Sequence, residues 1–142
     1  MTIRTMTTND GPAALTFWKH IPGLGLSYSD EPEELNRYWE RNPGLSFCAC
    51  DEKGKLIATV LAGHDGRRGF LYHLAVHPQH RGKGLSGALV GASLEGLKAQ
   101  GIRKVHIFVR SDNSAGISFW MGPASAHGWK LRGELMVFSR EV

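Results

Sequence analysis

The chain has no apolar run long enough to cross a membrane. Its longest, residues 56–62, falls far short of the roughly 20 residues a spanning helix needs. The N-terminus, MTIRTMTTNDGP, also lacks the apolar core of a secretory leader, which predicts a cytosolic protein. Cysteine is scarce: Cys48 and Cys50 are the only two, separated by one residue. Such a pair is too close for an ordinary disulfide, and the cytosol is reducing, so both are expected as buried thiols. Internal repeats and low-complexity linkers are missing as well, so the 142 residues are expected as one domain, residues 1–142.

What remains is ordinary for a globular protein: 42% hydrophobic and 21% charged residues, too apolar for a disordered chain. The net charge of +4 hides a polarity. Residues 1–54 carry five basic and eight acidic side chains, whereas residues 55–142 carry twelve basic and five acidic. The basic part permits an anionic ligand. It has too few interleaved aromatics to read as a nucleic-acid surface.

Strand and helix signals alternate along the chain. A first strand is expected at residues 3–6, then a helix capped by Asn9 or Asp10 with Pro12 in its first turn. Ser29 and Asp30 are expected to cap a second helix, 32–41, whose acidic start suits the helix dipole. Strands at 46–51, 55–63 and 69–76 are joined by turns, Glu52-Lys53-Gly54 making the first hairpin. A helix over 84–100, a strand over 105–109, a short helix over 114–120 and closing strands at 129–132 and 135–142 complete the order. This is a mixed α+β pattern rather than a strict βαβ repeat.

The most informative stretch runs from Leu71 to Gly87. A strand passes through Pro78 into a loop with Gly82, Gly84 and Gly87, and the loop opens into a helix. Glycine lets backbone amides approach a ligand, and the free N–H groups of a helix start face an anion. Arg81 and Lys83 add fixed positive charge, making a pyrophosphate cradle. A nucleotide-triphosphate loop is excluded because no stretch has its spacing. Gly82-Lys83-Gly84-Leu85-Ser86-Gly87 has dinucleotide spacing, but the preceding strands form hairpins and no acidic residue ends the next strand. The better match is Arg/Gln-x-x-Gly-x-Gly/Ala after a Val-x-Pro strand end.

With Leu74-Ala75-Val76-His77-Pro78-Gln79-His80-Arg81-Gly82-Lys83-Gly84, the chain resembles the GNAT superfamily of N-acetyltransferases, in particular small bacterial acetyltransferases. The resemblance implies a central, largely antiparallel twisted sheet with a V-shaped split, flanked by about four helices. It implies acetyl-CoA as co-substrate, with no metal, and direct transfer to a primary amine of a small molecule or peptide. Arg81, Gly82, Lys83, Gly84, Leu85, Ser86 and Gly87 would surround the pyrophosphate, and Leu74, Ala75 and Val76 would pair with the pantetheine arm. Asn113 would touch that arm, with Phe119 beside it. Relatives often pair through their C-terminal strands, so a homodimer is expected.

The chain departs from the family pattern at one chemical position. The tyrosine that commonly protonates the leaving thiolate is missing: Trp120 fills its slot counted from Asn113, and Ala124 counted back from Gly128. Ser125, His127 or water would have to replace it. The alternative is therefore a catalytically weak or inactive CoA-binding regulatory or interaction module. For the base, His73 has the better chemistry, and Tyr72 the better direction on an alternating strand. A packed Tyr72 and a satisfied His73 are the plain structural reading of either. His73, His77 and His80 straddle a strand end and do not predict a metal site. Asp30, Glu31, Glu33 and Glu34 are a helix-start cluster or, at the acceptor cleft, an attractor for a cationic amine.

Overall fold

Nearly every position from Leu56 to Gly63 is apolar, and the strand they form is covered on both faces. In the computed structural model, which describes residues 1–142, β3 (Leu56–His64) is buried up to its last residue. On one side it pairs antiparallel with β2 (Phe47–Cys50), which pairs antiparallel with β1 (Thr2–Thr5). On the other it pairs antiparallel with β4 (Gly69–Val76), and β5 (Val105–Ile107) joins β4 in parallel. The helices are α1 (Gly11–Lys19), α2 (Pro32–Arg41), α3 (Leu85–Ala99) and α4 (Ser114–Met121). A five-stranded, mostly antiparallel sheet with four α-helices is the α+β class that the sequence predicts.

Two compact units divide the chain, Met1–Phe108 and Val109–Val142. In the first, α1 and α2 bury Phe17, Trp18, Leu35 and Trp39 with Cys48, Leu61 and Ala75 in one cluster. Helix α3 packs on β2, β3 and β4 through Leu89 and Leu97, both fully buried. Burying a side chain of that size contributes about 1.5–3 kcal/mol, so both layers pin the sheet. Ser93 lies in this second layer and donates its hydroxyl proton to the Leu45 carbonyl at 2.8 Å. In the second unit, Asn113 caps α4 by accepting the Gly116 N–H at 3.0 Å. Trp120 and Trp129 pack edge to face there, 4.6 Å apart.

Two features of the first unit set the geometry around Tyr72 and His73. β5 pairs only with Gly69–Leu71, so sheet pairing on that side of β4 stops before Tyr72 and the two strands part. Between β3 and β4 the register slips: Thr59 faces Ala75 but Leu61 faces Tyr72, so β4 carries one extra residue at His73–Leu74. That is a β-bulge, which bends the strand and re-aims its side chains.

The structure corrects two expectations. The closing strands at 129–132 and 135–142 do not form, and Leu131, Leu135, Met136, Val137 and Phe138 are exposed. Alternating apolar residues make a strand only where a partner backbone and a packing surface meet them. The cap of α2 is Glu31, not Ser29 or Asp30; the Asp30 carboxylate instead accepts the Ser27 N–H at 2.9 Å.

At the N-terminus, the Arg4 guanidinium donates to both oxygens of the buried Asp10 carboxylate, at 2.8 and 2.9 Å. The Thr7 N–H reaches the same carboxylate at 2.8 Å. Burial alone would push the Asp10 carboxyl up. The hydrogen bonds from Arg4 and Thr7 outweigh it and hold the group below its ordinary 3.8. A lowered carboxyl stabilises the fold above its unfolded pKa, and that gain is lost as pH falls through the folded one. Asp10→Ala is therefore expected to cost about 2 kcal/mol near neutral pH, since charge-assisted bonds are lost. Urea melts should show the deficit shrinking in acid, where wild-type Asp10 is itself protonated.

Candidate active site

The bulge places His73 in the left-handed region at φ 50°, where it is the one non-glycine residue with positive φ. Thr59, fully buried on the neighbouring strand, fixes this conformation. Its hydroxyl donates to the His73 carbonyl at 2.9 Å and accepts the Trp18 indole N–H at 2.9 Å. The imidazole lies against Trp18, ring centroids 4.7 Å apart. Its Nε2 meets Oδ1 of Asp30 at 2.6 Å, in the short 3-10 turn before α2.

Strict alternation sends Tyr72 and His73 to opposite faces of the strand. The extra residue overturns that expectation, and both side chains meet the α1–α2 layer: Tyr72 against Tyr38, His73 against Trp18 and Asp30. His73 thus has the direction as well as the chemistry of a base. Burial pushes the Asp30 carboxyl up, but the bonds from His73 and the Ser27 N–H outweigh it and leave it lowered. An ionised Asp30 holds Nε2 as the protonated nitrogen and leaves the Nδ1 lone pair as the proton acceptor. Asp30, read from the sequence as a helix cap and as part of the acidic cluster, instead pairs with His73, a partner 43 residues further on.

Beyond the bulge, Ala75 and Val76 are buried and bonded to β3, and the strand runs into the short turn Pro78–His80. The Arg81 Nε donates to the Val76 carbonyl at 3.2 Å, anchoring the loop to the strand that feeds it. Gly82 (φ 75°) and Gly84 (φ 76°) both occupy the left-handed region, which explains glycine at each. Gly84 is the N-cap of α3, and the first helical N–H with a backbone acceptor is that of Ala88, bonded to the Gly84 carbonyl at 3.1 Å. The N–H groups of Leu85, Ser86 and Gly87 are the unpaired first turn of a fifteen-residue helix. Arg81 and Lys83 are exposed beside them. Left-handed glycines, free amides and two cations suit a pyrophosphate, so this chain's residues fit the group that the motif implies.

The structure therefore joins Tyr72, His73, Leu74, Ala75, Val76 and residues 81–87 in one strand–bulge–loop–helix unit. Asn113 and Phe119 belong to the second unit, where Asn113 caps α4 and Phe119 packs on Trp120 at 5.0 Å. Ser125 donates its proton to the Gly122 carbonyl at 2.6 Å. His77 and His80 pack on each other, and His77 Nδ1 accepts the Gln79 N–H. Cys48 and Cys50 are buried free thiols, and burial pushes Cys48 up to about 12, far from a nucleophile at neutral pH. Within the acidic cluster, Asp30 is committed to His73, and Glu34 pairs with Arg37.

One further feature escaped the sequence reading. Phe70 and Tyr72 share one side of β4, nearly parallel at 19° and 6.5 Å apart. Phe70 also meets His106 at 5.6 Å and Phe108 at 5.7 Å, and Tyr38 closes the row against Tyr72 at 6.2 Å. Tyr72 remains 40% exposed and Phe108 59% exposed.

Known proteins resemble this chain in sequence and in fold. The acetyltransferase (GNAT) family model matches residues 14–122. An acetyltransferase of Pectobacterium atrosepticum is 34% identical over 120 residues, covering 84% of each chain. The N-acetyltransferase PaiA of Thermoplasma acidophilum, solved with coenzyme A, superposes with a TM-score of 0.72 at 18% identity, covering 86% of this chain and 87% of its own. The diaminobutyrate acetyltransferase of Paenibacillus lautus, solved with its diamino acid substrate and coenzyme A, gives 0.72 at 19% identity, covering 88% and 75%.

Proposed function

This chain belongs to the acetyltransferase (GNAT) family, and from that premise we propose how its own residues move an acetyl group from acetyl-CoA to a primary amine. The activity is that of an acyl-CoA-dependent N-acetyltransferase acting on an amine acceptor. Acetyl-CoA, when bound, supplies the acetyl thioester. The loop from Arg81 to Gly87 holds the pyrophosphate through backbone N–H groups and two cations. The free edge of Leu74, Ala75 and Val76, left open where β5 stops pairing, receives the pantetheine arm and offers N–H donors to the developing oxyanion.

The observation that carries the catalytic reading is the Asp30–His73 pair on the bulge. His73 Nδ1 takes a proton from the acceptor's ammonium, directly or through a water, and the freed amine attacks the carbonyl carbon. The new C–N bond replaces the C–S bond, the attacking nitrogen gives up its second proton to solvent, and the departing sulfur leaves as thiol with a proton from solvent. Tyr72 lines the path rather than serving as the base. The acceptor arrives as a cation, and Glu31 and Glu33, the cluster members without a partner role at the site, attract it. The reading includes a single domain, a cytosolic setting that suits two free thiols, and a homodimer.

Free-thiol release from acetyl-CoA in the presence of a primary-amine panel tests the proposal. Amine-dependent release that weakens with added salt is expected, because exposed carboxylates are screened. Tight acetyl-CoA binding with no release on any amine would instead favour a binding module.

A further inference from the structure

We propose that the ring row Tyr72, Phe70 and Phe108, flanked by Tyr38 and His106, is an acceptor subsite that takes an aromatic group carried by the primary amine. The inference rests on His73 as the base, because it starts from where the amine must lie. Tyr72 adjoins His73 in sequence, and both side chains meet the same helical layer. An amine presented to His73 therefore has the Tyr72 ring as its neighbour. From Tyr72 the rings continue without a break across β4 to the end of β5, at centroid spacings of 6.5 and 5.7 Å.

Three properties of the row select the ligand. Water reaches it, with Tyr72 40% and Phe108 59% exposed, so the rings are not spent on core packing. Its three rings and the flanking Tyr38 and His106 are four phenyl or phenolic rings and one imidazole, none of them a carboxylate. Asp30, the acid beside His73, is already bonded to His73 and to the Ser27 N–H. The rings themselves offer a polyamine's second ammonium no carboxylate, whereas an aryl group finds ring edges and faces at stacking distance. The geometry selects an arylalkylamine, whose ammonium sits at His73 and whose ring lies over Phe70 and Phe108.

The test compares phenethylamine, n-butylamine and putrescine as acceptors for the full chain with acetyl-CoA. Phenethylamine should show at least a tenfold higher kcat/KM than either of the others, carried by KM. Phe108→Ala should bring the phenethylamine-to-butylamine ratio within threefold, while Phe108→Tyr retains it. Since Phe108 is exposed, neither change removes core packing. Putrescine as the best acceptor, or a wild-type ratio within threefold, overturns the inference. Calorimetric Kd values of the same amines on the CoA-saturated protein separate the subsite from the chemistry. Tenfold tighter phenethylamine without turnover upholds the subsite and rejects His73 as base, whereas equal affinities reject the subsite.

Discussion

Replacing Gly84 by leucine is expected to weaken CoA binding at least a hundredfold while leaving the chain folded. Two separate physical effects meet at this residue. The first is conformational: Gly84 has φ 76°, and a side chain there costs about 1–2 kcal/mol because Cβ crowds the following carbonyl. The second is steric and falls on the ligand. A Cβ built on Gly84 meets no atom of the protein within 4 Å, so the substitution displaces no packing. It does place four carbons beside the free N–H groups of Leu85, Ser86 and Gly87, where the pyrophosphate must approach the backbone. A hundredfold loss corresponds to about 2.7 kcal/mol, the order expected when charge-assisted bonds to backbone amides are blocked. Calorimetric titration with CoA beside a thermal melt reads the two effects apart. Affinity within threefold of wild type would show that the pyrophosphate lies elsewhere.

This loop was legible in the sequence because every requirement is local. Glycine at 82 and 84, a cation on either side of Gly82 and a helix start can all be read within a few residues. α2 and β4 were legible for the same reason: Pro32 opens one, and Gly69 and Pro78 bracket the other. The base was not. Its orientation depends on a register slip against Thr59, 14 residues earlier, and its partner Asp30 lies 43 residues earlier. Nothing within the strand itself announces either. The ring row failed to register because Phe70 and Phe108 come together only through the parallel pairing of β4 with β5. The closing strands failed in the opposite sense. Residues 135–138 have strand-like composition, yet the structure gives them neither a partner nor a surface to bury against.

The second large effect is expected at His73 itself. His73→Asn should lower kcat/KM about a hundredfold, within the range for losing a general base, with CoA affinity unchanged. Asparagine is the informative replacement because it tolerates the left-handed backbone that φ 50° imposes, which most residues do not. The Thr59 bond goes to the main-chain carbonyl of residue 73, so it persists in the variant and keeps the bulge in place. What disappears is the nitrogen that accepts a proton. A merely structural His73 would cost stability and spare the pH profile. A base would instead remove the acid limb of kcat/KM, because the protonated enzyme would no longer be the inactive form. Asp30→Asn should act one step back: without the carboxylate that orients the imidazole through Nε2, kcat should fall about tenfold while CoA affinity holds. A His73→Asn enzyme that keeps wild-type kcat/KM and its acid limb would exclude the pair from proton transfer and leave water alone to deprotonate the amine.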